Sequence, residues 1–120
     1  MTQFYSGLLD FAGETLTVQR LALNGDTAAL DATLTWNGAP WSFQSSAKAL
    51  PNSPETFVFK ARCRDLSRGT PGWTASTEST LRMHLKVDVA EVEVDGIWQE
   101  SNAPDQYEVG GLLEAMSQQR

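Results

Sequence analysis

The chain has 120 residues, of which 41% are hydrophobic and 20% charged, with one cysteine and a net charge of -6. That length fits one domain spanning residues 1–120, with a modest core and no need for covalent staples. The lone cysteine excludes an internal disulfide, and the negative charge opposes phosphate backbones, so nucleic acid is not an expected partner.

The first residues, MTQFYSGLLDFAGE, have neither a basic opening nor a long apolar run, so no signal peptide is expected. No stretch has the apolar length that spans a bilayer, and neither end carries a lipid-attachment motif, so no membrane partner is expected. A single thiol fits a reducing compartment, and the expected location is cytoplasmic.

Taken in chain order, apolar residues alternate with polar ones in period two, the mark of half-buried strands. A turn at Ala12-Gly13 places Leu9 opposite Leu16 and Gly7 opposite Val18. A short loop from Asn24 to Thr27 places Leu23 opposite Ala28 and Leu21 opposite Leu30. The apolar phase switches between Val18 and Leu21, which predicts a bulge near Gln19-Arg20. Asn37-Gly38 is a strong hairpin turn. Folding about it opposes Leu34 to Trp41 and Ala32 to Phe43 on the apolar face, with Thr33 against Ser42 on the other.

Residues 51–55, PNSPE, read as a loop, because two prolines weaken a ladder. Phe57, Phe59, Ala61 and Cys63 mark a fifth strand, and a longer loop runs from Asp65 to about residue 76. Leu81, Met83, Leu85, Val87 and Val89 share one face of a sixth strand. A turn at Val89-Ala90 would set Lys86 opposite Glu93 and His84 opposite Asp95. Val-Ala is a poor turn sequence, so one long bulged strand is the alternative. Residues 107–113 form a last strand or a short terminal helix. About eight antiparallel strands, mostly a meander, predict an all-β fold, either a small up-and-down barrel or a two-sheet sandwich. Gly96-Ile97-Trp98 resembles the Gly-x-Trp of lipocalins, which also have eight antiparallel strands. In that family the tripeptide lies on the first strand and here it lies near the C-terminus, so no family is assigned from it.

Catalysis finds little support in these residues. Cys63 lies between Arg62 and Arg64, which would activate a thiol, but alternation turns the arginines outward and Cys63 inward, where it is inert. His84, the one histidine, takes the polar face, away from Cys63, so no cysteine–histidine pair is expected. No G-x-S-x-G context supports a serine triad. One histidine and one inward cysteine leave no zinc ligand set. Glu91, Glu93 and Asp95 stand about 6.5–7 Å apart along a strand, too far to converge on one calcium ion. No catalytic residue, metal or cofactor is expected.

Two features bear on binding. Lys60, Arg62, Arg64, Arg82 and His84 share the polar-face phase of two strands, while Glu91, Glu93 and Asp95 form an acidic strip beyond them. The plainer expectation is a solvated face whose charges pair across strands. The functional one is a partner-binding surface. The second feature is aromatic. Trp41, Phe43, Phe57, Phe59 and Met83 lie on the inner face, and Trp73 lies in the long loop beside Arg68. They suggest a non-catalytic binding module whose apolar pocket takes a small hydrophobic molecule. The alternative is an acidic interaction module, of inhibitor or immunity type, that covers a basic site on a protein partner. Edge strands would offer a route to a homo-oligomer.

Overall fold

Alternation fixes which face of each strand turns inward, and the turns fix which strands meet. The computed structural model describes residues 2–36, 39–62, 64–65, 78–100 and 106–116, with Trp36, Ala39, Ala61, Arg62, Arg64, Asp65, Glu78 and Glu100 described by backbone alone. The Asn37-Gly38 turn, Cys63, Arg68 and Trp73 lie outside the described residues. The strands are β1 (Gln3–Phe11), β2 (Glu14–Asn24), β3 (Thr27–Trp36), β4 (Ala39–Leu50), β5 (Ser53–Arg62), β6 (Arg64–Asp65), β7 (Glu78–Val87), β8 (Glu91–Glu100) and β9 (Gln106–Ala115). β6 continues the wall begun by β5, since Ala49 pairs with Phe57 and Trp41 with Asp65 in one shared register. The eight walls are antiparallel neighbours in chain order, and β9 returns to pair with β1. The fold is a closed up-and-down barrel, not a sandwich.

The hairpin registers follow the alternation. Leu9 pairs with Leu16, Leu21 with Leu30, Leu34 with Trp41 and Ala32 with Phe43. The register of β2 slips by one residue between Val18 and Arg20, so the bulge stands where the apolar phase switches. Both readings of the segment around Val89-Ala90 resolve in favour of the hairpin, with Lys86 opposite Glu93 and His84 opposite Asp95. Asp88 supplies what Val-Ala lacks: its Oδ1 accepts the Val89 N–H at 2.7 Å, and its own N–H bonds the Glu91 carbonyl at 2.8 Å. The C-terminal segment is a strand, not a helix.

Two expectations need correction. The loop predicted over residues 51–55 shrinks to Pro51-Asn52, because β5 begins at Ser53. Leu50 pairs with Ser53 but Ala49 with Phe57, so Pro54 falls in a register break where no ladder donor is required. Val87 keeps the inner-face phase, opposite buried Val92, but neither it nor Val89 is covered. They are exposed, since the strand ends and the turn carries them past the rim. Closure gives each of the eight walls a paired neighbour on both sides.

The join of β1 to β9 has no turn to set it. It is hydrogen-bonded at both ends, Ala12 N–H to the Glu108 carbonyl at 3.0 Å and Met116 N–H to the Phe4 carbonyl at 2.8 Å. Between them Gly7 and Gly111 take φ of 154° and 146°, values that L side chains rarely adopt. A Cβ on Gly7 would lie 3.3 Å from Leu113 Cδ2, and one on Gly111 would lie 3.1 Å from Leu9 Cδ2. Each leucine therefore lies over the glycine opposite, and the two strands close tightly. Following paired residues once round the barrel returns to β1 about ten residues further along, a stagger that tilts the strands steeply to the axis.

Inside, large side chains fill the space. Tyr5, Leu9, Phe11, Leu16, Leu21, Leu30, Phe59, Leu81, Met83, Leu85 and Leu113 are all fully buried. An eight-stranded barrel is just wide enough for side chains to fill, and much of this one is filled.

One turn residue carries strain. Ala12 has φ 50°, the left-handed region that costs an L residue about 1–2 kcal/mol. Asparagine tolerates that conformation, so Ala12→Asn is expected to stabilise the protein by about 0.5–1 kcal/mol. The check is a higher urea midpoint at unchanged slope. A lower midpoint would mean that the turn is not strained.

Candidate functional site

Antiparallel order gathers aromatic residues at one end of the barrel. Phe11 ends β1, Trp41 and Phe43 lie near the start of β4, Trp98 near the end of β8 and Tyr107 near the start of β9. All five face inward. The Trp98 ring packs edge-on against Phe11 at 5.3 Å and against Phe43 at 5.4 Å between ring centroids. Phe11 in turn stacks on Tyr107 at 5.7 Å. β1, β4 and β8 are not neighbours, so the two Trp98 contacts cross the lumen, and Trp98 spans it like a bar.

Phe11, Phe43 and Trp98 are buried, whereas Trp41 and Tyr107 are half-buried and pack against the core. β4 and β9 are opposite walls, so Trp41 and Tyr107 face each other across the rim, above a floor of three buried rings. Geometry of this kind suits apolar contact. Flat rings offer large area at small entropy cost, and the Tyr107 hydroxyl adds a polar handle.

The other predicted pocket residues lie deeper. Phe57, Phe59 and Met83 are buried, with Phe57 and Phe59 stacked at 6.3 Å. They are packed into the core below the aromatic end. Phe11, Trp98 and Tyr107 were not among the predicted site residues. Trp98 shares the phase of Val92 and Val94, which marks it as inward, but nothing local indicates that it meets Phe11 and Phe43.

Outside the barrel, His84 anchors a chain of polar groups. Thr56 lies directly opposite it on β5, and Thr56 Oγ1 is 3.2 Å from His84 Nδ1. Ser53 Oγ is 2.7 Å from Thr56 Oγ1, and Glu55 Oε1 is 3.6 Å from His84 Nε2. A hydroxyl, an imidazole and a carboxylate in sequence resemble a nucleophile relay on paper. Thr56, however, is only 5% exposed, and its hydroxyl is held between Ser53 and His84. The chain ties the Pro54 irregularity to β7. Thr56, Arg82, His84, Asp95 and Ile97 line a shallow outer groove of about 310 Å³. Another, of about 460 Å³, opens beside the β2 bulge, where the Arg20 guanidinium lies 5.6 Å from the Phe4 ring centre.

The predicted charged residues occupy the outer face in columns. Lys60 is exposed on β5, and Arg82 and His84 are exposed on β7. Lys60 pairs with Thr80, not with Arg82, so the basic residues are staggered along the two strands. Glu91, Glu93 and Asp95 are exposed on β8, with His84 level with Asp95 and Lys86 level with Glu93. Among the residues whose side chains are described, the one acid–base contact within 4 Å is His84–Glu55. The columns are in register without direct pairing. No group of metal-ligating residues forms among the described residues.

Comparison with known proteins bears on the fold alone. No protein-family model matches the chain, and no curated protein matches it. A solved structure does match: the complex of bovine odorant binding protein with undecanal, at a TM-score of 0.54 and 7% sequence identity. The match covers 98% of this chain and 71% of that one. The likeness lies in a closed barrel of eight antiparallel strands.

Proposed function

We propose that the protein is a non-catalytic binding module that takes a small apolar molecule at the aromatic end of its barrel. The observation that carries this reading is the meeting of Phe11, Phe43 and Trp98 across the lumen beneath the half-buried rings of Trp41 and Tyr107. The ligand lies between the two rim rings with Trp98 as its floor. The barrel architecture supports the reading, because barrels of this size hold either side chains or one small ligand, and the matched structure contains undecanal. A cytoplasmic location remains part of the proposal, resting on the lone cysteine.

Undecanal itself is a suitable first probe, followed by tryptophan fluorescence and thermal melting. A ligand at about 100 times its dissociation constant stabilises the folded state by about 2.7 kcal/mol. The expected result is a saturable rise in melting temperature with a change in tryptophan emission, both weakened in Trp41→Ala. Binding that survives unchanged in Trp41→Ala would move the site elsewhere. No stabilisation by undecanal or by an aromatic probe such as 1-aminoanthracene would end the proposal.

A further inference from the structure

The join that closes the barrel leaves two leucines in solvent. Leu8 is 65% exposed and Leu112 is 51% exposed. Ser6 stands opposite Glu114 and Asp10 opposite Gly110 across this join. Leu8 and Leu112 are the midpoints of those two spans, so they face each other. Leu112 is also level with Glu93 on β8, and Gly110 with Asp95. The outer face of β8, β9 and β1 therefore carries an apolar pair bordered by Asp10, Glu93 and Glu114, with Asp95 on the diagonal. Gly110, lacking a side chain, leaves a gap between Asp10 and Asp95.

We propose that this face docks a basic protein segment that places an apolar residue on the Leu8–Leu112 pair. Its flanking lysines or arginines reach the surrounding carboxylates, one lying over Gly110 between Asp10 and Asp95. Isolated exposed apolar residues are ordinary, but two leucines facing each other on a sheet surface form a small apolar platform on which one partner side chain can rest. Charge selects the occupant. A second copy laid twofold on this patch would bring like carboxylates together, and whole chains of charge -6 repel one another. Anionic membranes and nucleic acids are rejected by the same field. A cationic segment is drawn in, and loses affinity as salt rises. This face lies on the wall of the barrel, so its occupancy is separate from that of the aromatic end.

The test uses the whole protein and a short fluorescein-labelled peptide alternating lysine and leucine, with oligolysine and an alternating glutamate–leucine peptide beside it. Anisotropy should show saturable binding of the lysine–leucine peptide alone, weakening as salt is raised. Leu8→Ser with Leu112→Ser should weaken it about tenfold or more, since burying a leucine contributes at least that much. Glu93→Gln with Glu114→Gln should lower affinity and flatten the salt dependence. All four positions are exposed, and unchanged melting temperatures would verify that the variants fold. Amide shifts should centre on Leu8, Gly110 and Leu112. Equal binding of oligolysine, indifference to the leucine changes, or shifts centred elsewhere would overturn the proposal. So would a dimer of the protein alone that the leucine changes dissolve, which would assign the face to a second copy.

Discussion

Trp98→Ala is expected to be the most damaging single substitution at the aromatic end, lowering stability by about 3–5 kcal/mol. The indole touches Phe11 on β1 and Phe43 on β4, so its removal takes away the contact that links two walls not paired with each other. Surrounding strands are held in a closed ladder and collapse only partly. The result is a cavity lined by phenyl rings, which stays dry and accepts apolar guests. A fall in melting temperature on the order of 10–20 °C should accompany the loss. Indole added to the variant should recover part of that fall, while leaving the parent unmoved if Trp98 already fills the space. A loss under about 1 kcal/mol would show that the ring is not a structural bar. This experiment also informs the ligand proposal. If undecanal binds the parent above Trp98, the variant should bind it deeper and more tightly. If the parent binds nothing and the variant does, Trp98 is a plug and the native barrel is a filled one.

Alternation gives the face of a strand but neither its depth in the barrel nor the wall it meets, and the structure divides along that line. The hairpins were legible because each has local determinants. Leu9 against Leu16 and Ala32 against Phe43 follow from the turn and the two-residue period, and the Gln19 bulge follows from a phase slip. The β7–β8 hairpin was legible as a register but not as a turn, since Asp88, not Val89-Ala90, holds it. Closure was not read from the pattern, because β1 and β9 come from opposite ends of the chain and no turn relates them. A signal was nevertheless present. Gly7-Leu8-Leu9-Asp10 and Gly111-Leu112-Leu113-Glu114 share one pattern of glycine, two leucines and an acid. Run antiparallel, the motif lays each inward leucine over the opposing glycine and leaves the outward pair facing solvent. Of the aromatic end, Trp41 and Phe43 were legible from their phase. Phe11 and Trp98 join them through contacts across the lumen, and Tyr107 through the neighbouring strands β1 and β8, which no local spacing encodes.

Gly96→Ala is expected to cost about 2–3 kcal/mol, although it adds one methyl group. Gly96 is buried on the inner face of β8, opposite Met83 of β7. A Cβ there would lie 2.7 Å from the Arg82 carbonyl oxygen and 3.3 Å from Met83 Cγ. Met83 can turn its flexible thioether aside, whereas the Arg82 carbonyl is part of the wall. Making room for the methyl therefore moves β8 against β7, and Trp98, two residues on, moves with it. A double-mutant cycle distinguishes the two clashes. If the carbonyl is the obstacle, Met83→Ala and Gly96→Ala should add, with little coupling beyond about 0.5 kcal/mol. If Met83 is the obstacle, shortening it should rescue Gly96→Ala and give a large coupling energy. Gly110→Ala is the natural control. Its Cβ would meet only the Val94 carbonyl oxygen, at 3.3 Å, so its cost should be smaller. Equal costs at Gly96 and Gly110 would show that the close approach of β7 to β8 is not what requires glycine at this position. With that approach intact, Met83 lies over the bare backbone of Gly96 as Leu113 and Leu9 lie over Gly7 and Gly111. The same device then narrows the barrel at β7–β8 and at its join, which is why so many large side chains fill it.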